Sequence, residues 1–176
     1  ELVPVEHLSR ERQGDAEADD DERRPVDEIV HRALDDGLQH ERERLLPLAT
    51  VLTPNLPEAA RRLGARTAAS RAAMEEQARA LLALGPDAAL VKGGHLDGHE
   101  SPDLLATPAG ARWYEHERVD TQNTHGTGCT LSAALAAWLG RGLSLEDATA
   151  RATAYVAAAI RGADALSVGG GHGPTH

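Results

Sequence analysis

The sequence has no phenylalanine, two tryptophans, two tyrosines, one methionine and one cysteine in 176 residues. Without aromatics, the core must be built from Leu, Val and Ala. A single cysteine, Cys129, excludes an internal disulfide framework and a cysteine-rich zinc site. Basic residues are also scarce: 18 Lys and Arg stand against 28 Asp and Glu, a net charge of -10. That balance argues against a nucleic-acid surface, and no basic stripe relieves it. No apolar run approaches a membrane span and no secretory signal opens the chain, so the expected setting is soluble and cytoplasmic, away from membranes. The first residue is Glu1, not Met, which reads as a fragment or a processed product. At this length one core is affordable.

What is present is unevenly spread. Residues 1–44 hold 15 of the 28 acidic residues, including Asp19-Asp20-Asp21-Glu22. A run so charged stays in water rather than in a core. Pro25 suits the start of a helix over 26–34, with Gly37 as its stop. We expect residues 1–41 to form an atypical acidic segment, weakly ordered or partly helical, and residues 42–176 to form the folded domain.

From there the pattern alternates. Thr50–Thr53 reads as a strand that Pro54 must end or leave, for want of an N–H. Pro57–Leu63 reads as a helix closed near Gly64, and Met74–Leu84 as a second, closed by Gly85-Pro86. Ala88–Val91 is an apolar strand of the buried, parallel kind. Two short strands follow, from Asp103 and from Trp113 to Val119, around a turn at Thr107–Gly110, the pattern of an antiparallel edge excursion. Helices over Cys129–Leu139 and Leu145–Ala163 complete the fold. The second is expected to bury Leu145, Ala148, Ala152, Tyr155, Val156, Ala159 and Ile160. The tail, 168–176, is too glycine-rich for either element and suits a ligand-side loop or a loose terminus.

Three junctions carry polar or glycine residues: Asn55/Glu58, Lys92-Gly93-Gly94-His95 and Thr124–Cys129. Open α/β sheets bind ligands where strands end, so these junctions could converge. Glu58 could hold Mg²⁺ as a hard oxygen ligand, directly or through water. Lys92 could neutralise a transferring phosphoryl group. Backbone N–H groups at Gly126, Thr127, Gly128 and Cys129 could cradle the same charge. Cys129, or a neighbour, could accept a hydroxyl proton, since a cysteine at a helix N-terminus gains reactivity. Each feature also has a plain structural use: Glu58 as a first-turn acid, Lys92 as a solvated strand end, the glycines as a loop. The histidines match no zinc spacing.

The spaced segments Thr53-Pro54-Asn55-Leu56-Pro57-Glu58-Ala59, Val91-Lys92-Gly93-Gly94-His95-Leu96, Ser101-Pro102-Asp103, Asn123–Ala134 and Gly171-His172-Gly173-Pro174 resemble the hydroxymethylpyrimidine/phosphomethylpyrimidine kinases of thiamine biosynthesis. The resemblance covers about three quarters of the chain. It implies an α/β fold: the C-terminal part of a ribokinase-like three-layer α/β/α sandwich, without the N-terminal strands. It implies ATP and Mg²⁺ as cofactors, and phosphorylation of a small-molecule pyrimidine alcohol and of its monophosphate. It places Cys129 as the catalytic base and Gly126, Thr127 and Gly128 as the anion hole. Lys92 and Thr124 then face ATP, with Glu58 and Asn55 at the metal. Family members are dimeric and cytosolic, which implies a homodimer. The family's N-terminal segments are not found in residues 1–41, so the nucleotide side of the site is expected here and the pyrimidine pocket is not complete. A pyridoxal-type kinase, or a nucleotide-binding remnant without turnover, are the competing readings.

Overall fold

A computed structural model describes residues 35–96, 98–121, 123–163 and 173–175. The acidic run, the helix expected over 26–34 and the tail up to residue 172 lie outside these residues. The chain divides into two units, residues 1–39 and 40–176. Residues 35–39 of the first are helical, as is His40. Gly37 is therefore inside a helix and not its stop. It lacks the positive φ of a glycine cap, and a helix tolerates an interior glycine at about 1 kcal/mol.

In the second unit, a π-helical turn at Glu41–Leu45 and a 3₁₀ turn at Leu46–Leu48 lead in. Leu46 is buried, while Leu45 and Leu48 are exposed. Helix α1 (Leu56–Leu63) starts on an Asn55/Glu58 capping box and ends on Gly64 in the left-handed region, φ 62°. Helix α2 (Arg71–Leu82) starts three residues earlier than expected, because the Ser70 hydroxyl accepts from Ala73 N at 3.2 Å and caps it.

Strands β1 (Ala89–Lys92), β2 (Asp103–Thr107) and β3 (Gly110–Tyr114) form an antiparallel meander. The antiparallel excursion expected after residue 103 is present, and β1 pairs with it, so β1 is parallel on one edge alone. That edge pairs with the 52–55 segment, through bridges Leu52↔Ala89 and Asn55↔Lys92. Pro54 does not end that pairing: its carbonyl accepts from Lys92 N at 2.9 Å. The proline only skips the rung its own N–H would have supplied. Strand β3 likewise starts at Gly110 rather than Trp113, because the hairpin loop is only two residues, Pro108 and Ala109, and Thr107 pairs with Gly110.

The pleat divides the core. Ala89, Val91, Leu104 and Ala106 face Leu56 and Ala59 of α1 and Met74, Ala78 and Leu81 of α2. On the opposite face, Leu90 and Leu105 meet Leu131 and Leu135 of helix α3 (Thr127–Gly140). They also meet Ala148 and Ala152 of helix α4 (Leu145–Ala163). Helices thus cover both faces of one sheet, giving the three layers expected. On α4 the buried face differs from the expected one: Thr149 and Thr153 are buried and Tyr155 is 52% exposed. The two threonines return their hydroxyls to the carbonyls of Leu145 and Thr149, at 2.8 and 2.9 Å. Bonded in this way, each buried hydroxyl has its hydrogen-bond partner within the helix.

Candidate active site

The register that builds the core also aims the polar residues at the ends of the strands. Lys92 lies directly across from Asp103, one step past the Leu90↔Leu105 pair and on the same face of the sheet. That face looks toward α3. Helix α3 begins at Thr127, two residues before the expected Cys129, because Gly126 takes φ 86° and forms its N-cap. Thr130 N donates to the Gly126 carbonyl at 2.9 Å, the first bond of the helix. The amides of Gly128 and Cys129 come before that bond and are the free donors of a helix start. The Thr127 hydroxyl donates to the Thr124 carbonyl at 2.9 Å and braces the turn.

Lys92 and the glycine turn meet. A Cβ added to Gly128 would lie 2.9 Å from Lys92 Nζ, so the lysine ammonium sits over the start of α3. Among the described residues that ammonium has no carboxylate within ion-pair distance. A cation beside free amides at a helix N-terminus is an arrangement that can receive an anion. The Thr53 hydroxyl, 2.8 Å from that of Ser132, ties the 52–55 edge to α3. The C-terminal residues close the same corner: His125 N donates to the Gly173 carbonyl at 3.1 Å, and Thr175 is buried.

A cleft of about 570 Å³ is lined by every residue predicted for the site: Asn55, Glu58, Lys92, Thr124, Gly126, Thr127, Gly128 and Cys129. Cys129 is exposed to solvent, its thiol free. The Asn55 and Glu58 side chains are partly committed elsewhere. Asn55 N donates to Glu58 Oε2 and Glu58 N to Asn55 Oδ1, each at 2.8 Å.

The cleft also contains residues that sequence reasoning passed over as site groups: Asp103, His116 and Arg118. The Asp103 carboxylate accepts from Gly93 N at 3.1 Å. Burial pushes this acid up to about 6, against the opposing pull of the Gly93 amide and of Lys92. His116 Nε2 stands 4.0 Å from Asp103 Oδ2 and is buried with no hydrogen-bond partner. Burial holds His116 below the usual histidine range, although Glu115 pulls it upward. Arg118 spreads its guanidinium over the carbonyls of Gly94, Leu96, Gly98 and Glu100 and so shapes the loop after β1. The Ser-Pro-Asp segment ahead of β2 was visible as a motif, but only the cross-strand register reveals what its aspartate faces.

The sequence profile described as phosphomethylpyrimidine kinase matches residues 30–176. The hydroxymethylpyrimidine/phosphomethylpyrimidine kinase of Salmonella typhimurium is 52% identical over 135 residues, 77% of this chain and 51% of the relative. Among solved structures, the pyridoxal kinase of Staphylococcus aureus in complex with ADP superposes with a TM-score of 0.75 at 32% identity. The match covers 79% of this chain and 50% of that one. The phosphomethylpyrimidine kinase of Clostridium difficile 630 gives 0.58 at 34% identity, covering 69% and 48%. The chain spans about half the length of the curated relatives it matches. By profile, by sequence and by the three-layer fold, this chain belongs to the phosphomethylpyrimidine kinase family.

Proposed function

We propose that the chain carries the phosphoryl-transfer side of an ATP-dependent hydroxymethylpyrimidine/phosphomethylpyrimidine kinase of thiamine biosynthesis, residues 42–176 being its kinase domain. The observation that supports it best is the placement of Lys92 Nζ over Gly128. The Gly126–Gly128 turn receives the phosphoryl oxygens on its amides, and Lys92 balances their charge. Thr124 borders the phosphates. The substrate hydroxyl gives its proton to the Cys129 thiolate as its oxygen bonds to the γ-phosphorus and the bond from that phosphorus to the bridging oxygen breaks. The bridging oxygen then leaves with ADP.

Mg²⁺ would neutralise charge on the phosphate oxygens. The donors offered, the Glu58 carboxylate and the Asn55 amide oxygen, are the hard oxygens this ion takes. Glu58 keeps Oε1 outside its capping bond. One carboxylate, with Asn55 beside it, plus phosphate and water oxygens is the usual way a protein holds this ion. The same reading takes the protein as cytoplasmic and as a homodimer in solution. No described helix is long and apolar enough to cross a membrane.

A second reading, phosphorylation of pyridoxal, has the S. aureus pyridoxal kinase superposition in its favour. Transfer of label from γ-³²P-ATP, with Mg²⁺, to hydroxymethylpyrimidine and to pyridoxal separates the two. We expect the pyrimidine to be labelled faster, and Cys129→Ala to cut transfer by roughly 10²–10⁴-fold. Faster labelling of pyridoxal would favour the second reading. Nucleotide binding with no transfer to either alcohol would leave a binding module without turnover.

A further inference from the structure

We propose that Asp103 is a positioning residue, which acts through Lys92 and Gly93 to hold the Lys92 ammonium over the start of α3. The inference rests on the phosphoryl-transfer reading of that site and adds a residue to it.

Three observations converge. Asp103 is the cross-strand partner of Lys92, so the two side chains leave the same face of the sheet at the same level. Its carboxylate accepts from Gly93 N at 3.1 Å, which fixes the backbone immediately after Lys92. That backbone has little room for another path: a Cβ on Gly93 would lie 1.8 Å from the Pro102 carbonyl oxygen. Strand β1 therefore leaves the sheet pressed against the segment that carries Asp103.

Lys92, the cross-strand partner, attracts the carboxylate through space. His116 Nε2 is 4.0 Å away, but burial favours its neutral form. An ionised carboxylate whose side chain is only 14% exposed costs stability. A feature that costs stability and faces a catalytic cleft is better accounted for by function than by folding. No direct ion pair is needed. The hold is the Gly93 bond together with through-space attraction across a low-dielectric gap.

The test is a double-mutant cycle on the whole chain, with Asp103→Asn, Lys92→Ala and the double variant. Asn retains the size of the side chain and an oxygen for Gly93 N, and removes the charge. Affinity for Mg-AMP-PCP is read by calorimetry at pH 7.5, and the Lys92 side-chain ammonium resonance by NMR without ligand. We expect Asp103→Asn alone to weaken binding about tenfold, to shift the Lys92 resonance and to leave the melting temperature equal or higher. In the Lys92→Ala background the Asn substitution should weaken binding no further. Equal losses in both backgrounds, or an unmoved Lys92 resonance, would overturn the proposal. If the wild-type chain binds no nucleotide while the Lys92 resonance still responds to Asp103→Asn, the phosphoryl-transfer reading fails and the positioning role stands.

Discussion

Helices α2 and α3 cover opposite faces of one sheet, and both are rich in alanine, but they use it differently. In α2, Ala78 is buried between Met74 and Leu81, and all three are sealed against Val91 and Leu104. In α3 only Leu131 and Leu135 are buried, and Ala133, Ala136 and Ala137 are exposed. Helix α2 is held by its whole inner stripe. Helix α3 is held by two leucines, by the Thr53–Ser132 hydroxyl contact and by its contacts with α4. What α3 contributes is its N-terminus, which brings the Gly126–Cys129 turn to the end of β1. One face of the sheet is mainly structural, and the other sets the chemistry beside a core of similar make-up.

The largest effect that would break this contrast comes from placing a charge on each helix. Ala78→Glu puts an unpaired carboxylate among Met74, Leu81 and Val91 and is expected to cost more than about 4 kcal/mol, enough to unfold the domain. Ala137→Glu on exposed α3 should change stability by no more than about 0.5 kcal/mol. Chemical denaturation of the two variants measures both. Equal losses would mean that the two faces are loaded alike.

A smaller effect sharpens the contrast on the α3 side. The Asp103 acid is raised from 3.8 in the unfolded chain to about 6 in the folded one. A raised folded-state value means the folded form holds the proton more tightly. Its stabilising contribution is complete below pH 3.8 and is lost as pH rises through about 6. The loss above pH 6 is on the order of 1–3 kcal/mol. His116 has the opposite sign: its value is depressed by burial, so its contribution is lost as pH falls through the ordinary histidine range. His116 Nε2 stands 4.0 Å from Asp103 Oδ2, so its titration is followed by NMR in both proteins and its difference subtracted. Asp103→Asn should therefore gain on wild type as pH goes from 4 to 6 and keep a constant advantage above that. Stability against pH for the two proteins checks it; a difference independent of pH would remove the strained carboxylate from the account.

The smallest predicted effect is at the start of α1, on the structural side. Asn55→Ala removes half of the Asn55/Glu58 capping box and should cost about 1 kcal/mol. A thermal melt reads this directly. If Glu58 is released from the box, its carboxylate also loses the fixed position it holds at the cleft.

The parts of the site that were legible in the sequence are those set by local geometry. Pro57 after Asn55 marks a helix start, Gly126 must take a left-handed φ, and Lys92 ends an apolar strand. Each of these depends on residues within one turn of itself. Asp103 and His116 were missed as site residues because their meaning depends on strand register, which places residue 103 against 92. The antiparallel hairpin after residue 103 was legible from its turn at Thr107–Gly110, but its pairing with β1 was not. An apolar run covered on both faces reads alike whether its neighbour is parallel or antiparallel. Thr149 and Thr153 look polar on paper. Their hydroxyls bond within α4, so they are buried where Tyr155 was expected. The family resemblance did not depend on any of these, since its motifs lie at the junctions.

The account turns on one juxtaposition, Lys92 against the Gly126–Cys129 turn. Calorimetric titration of the purified chain with Mg-AMP-PCP, for wild type beside Lys92→Ala, tests it most directly. The account predicts saturable one-site binding by the wild-type chain and a loss of at least tenfold in affinity for the variant, with the melting temperature little changed. Binding of equal strength by both, or none by a folded wild-type chain, would contradict it.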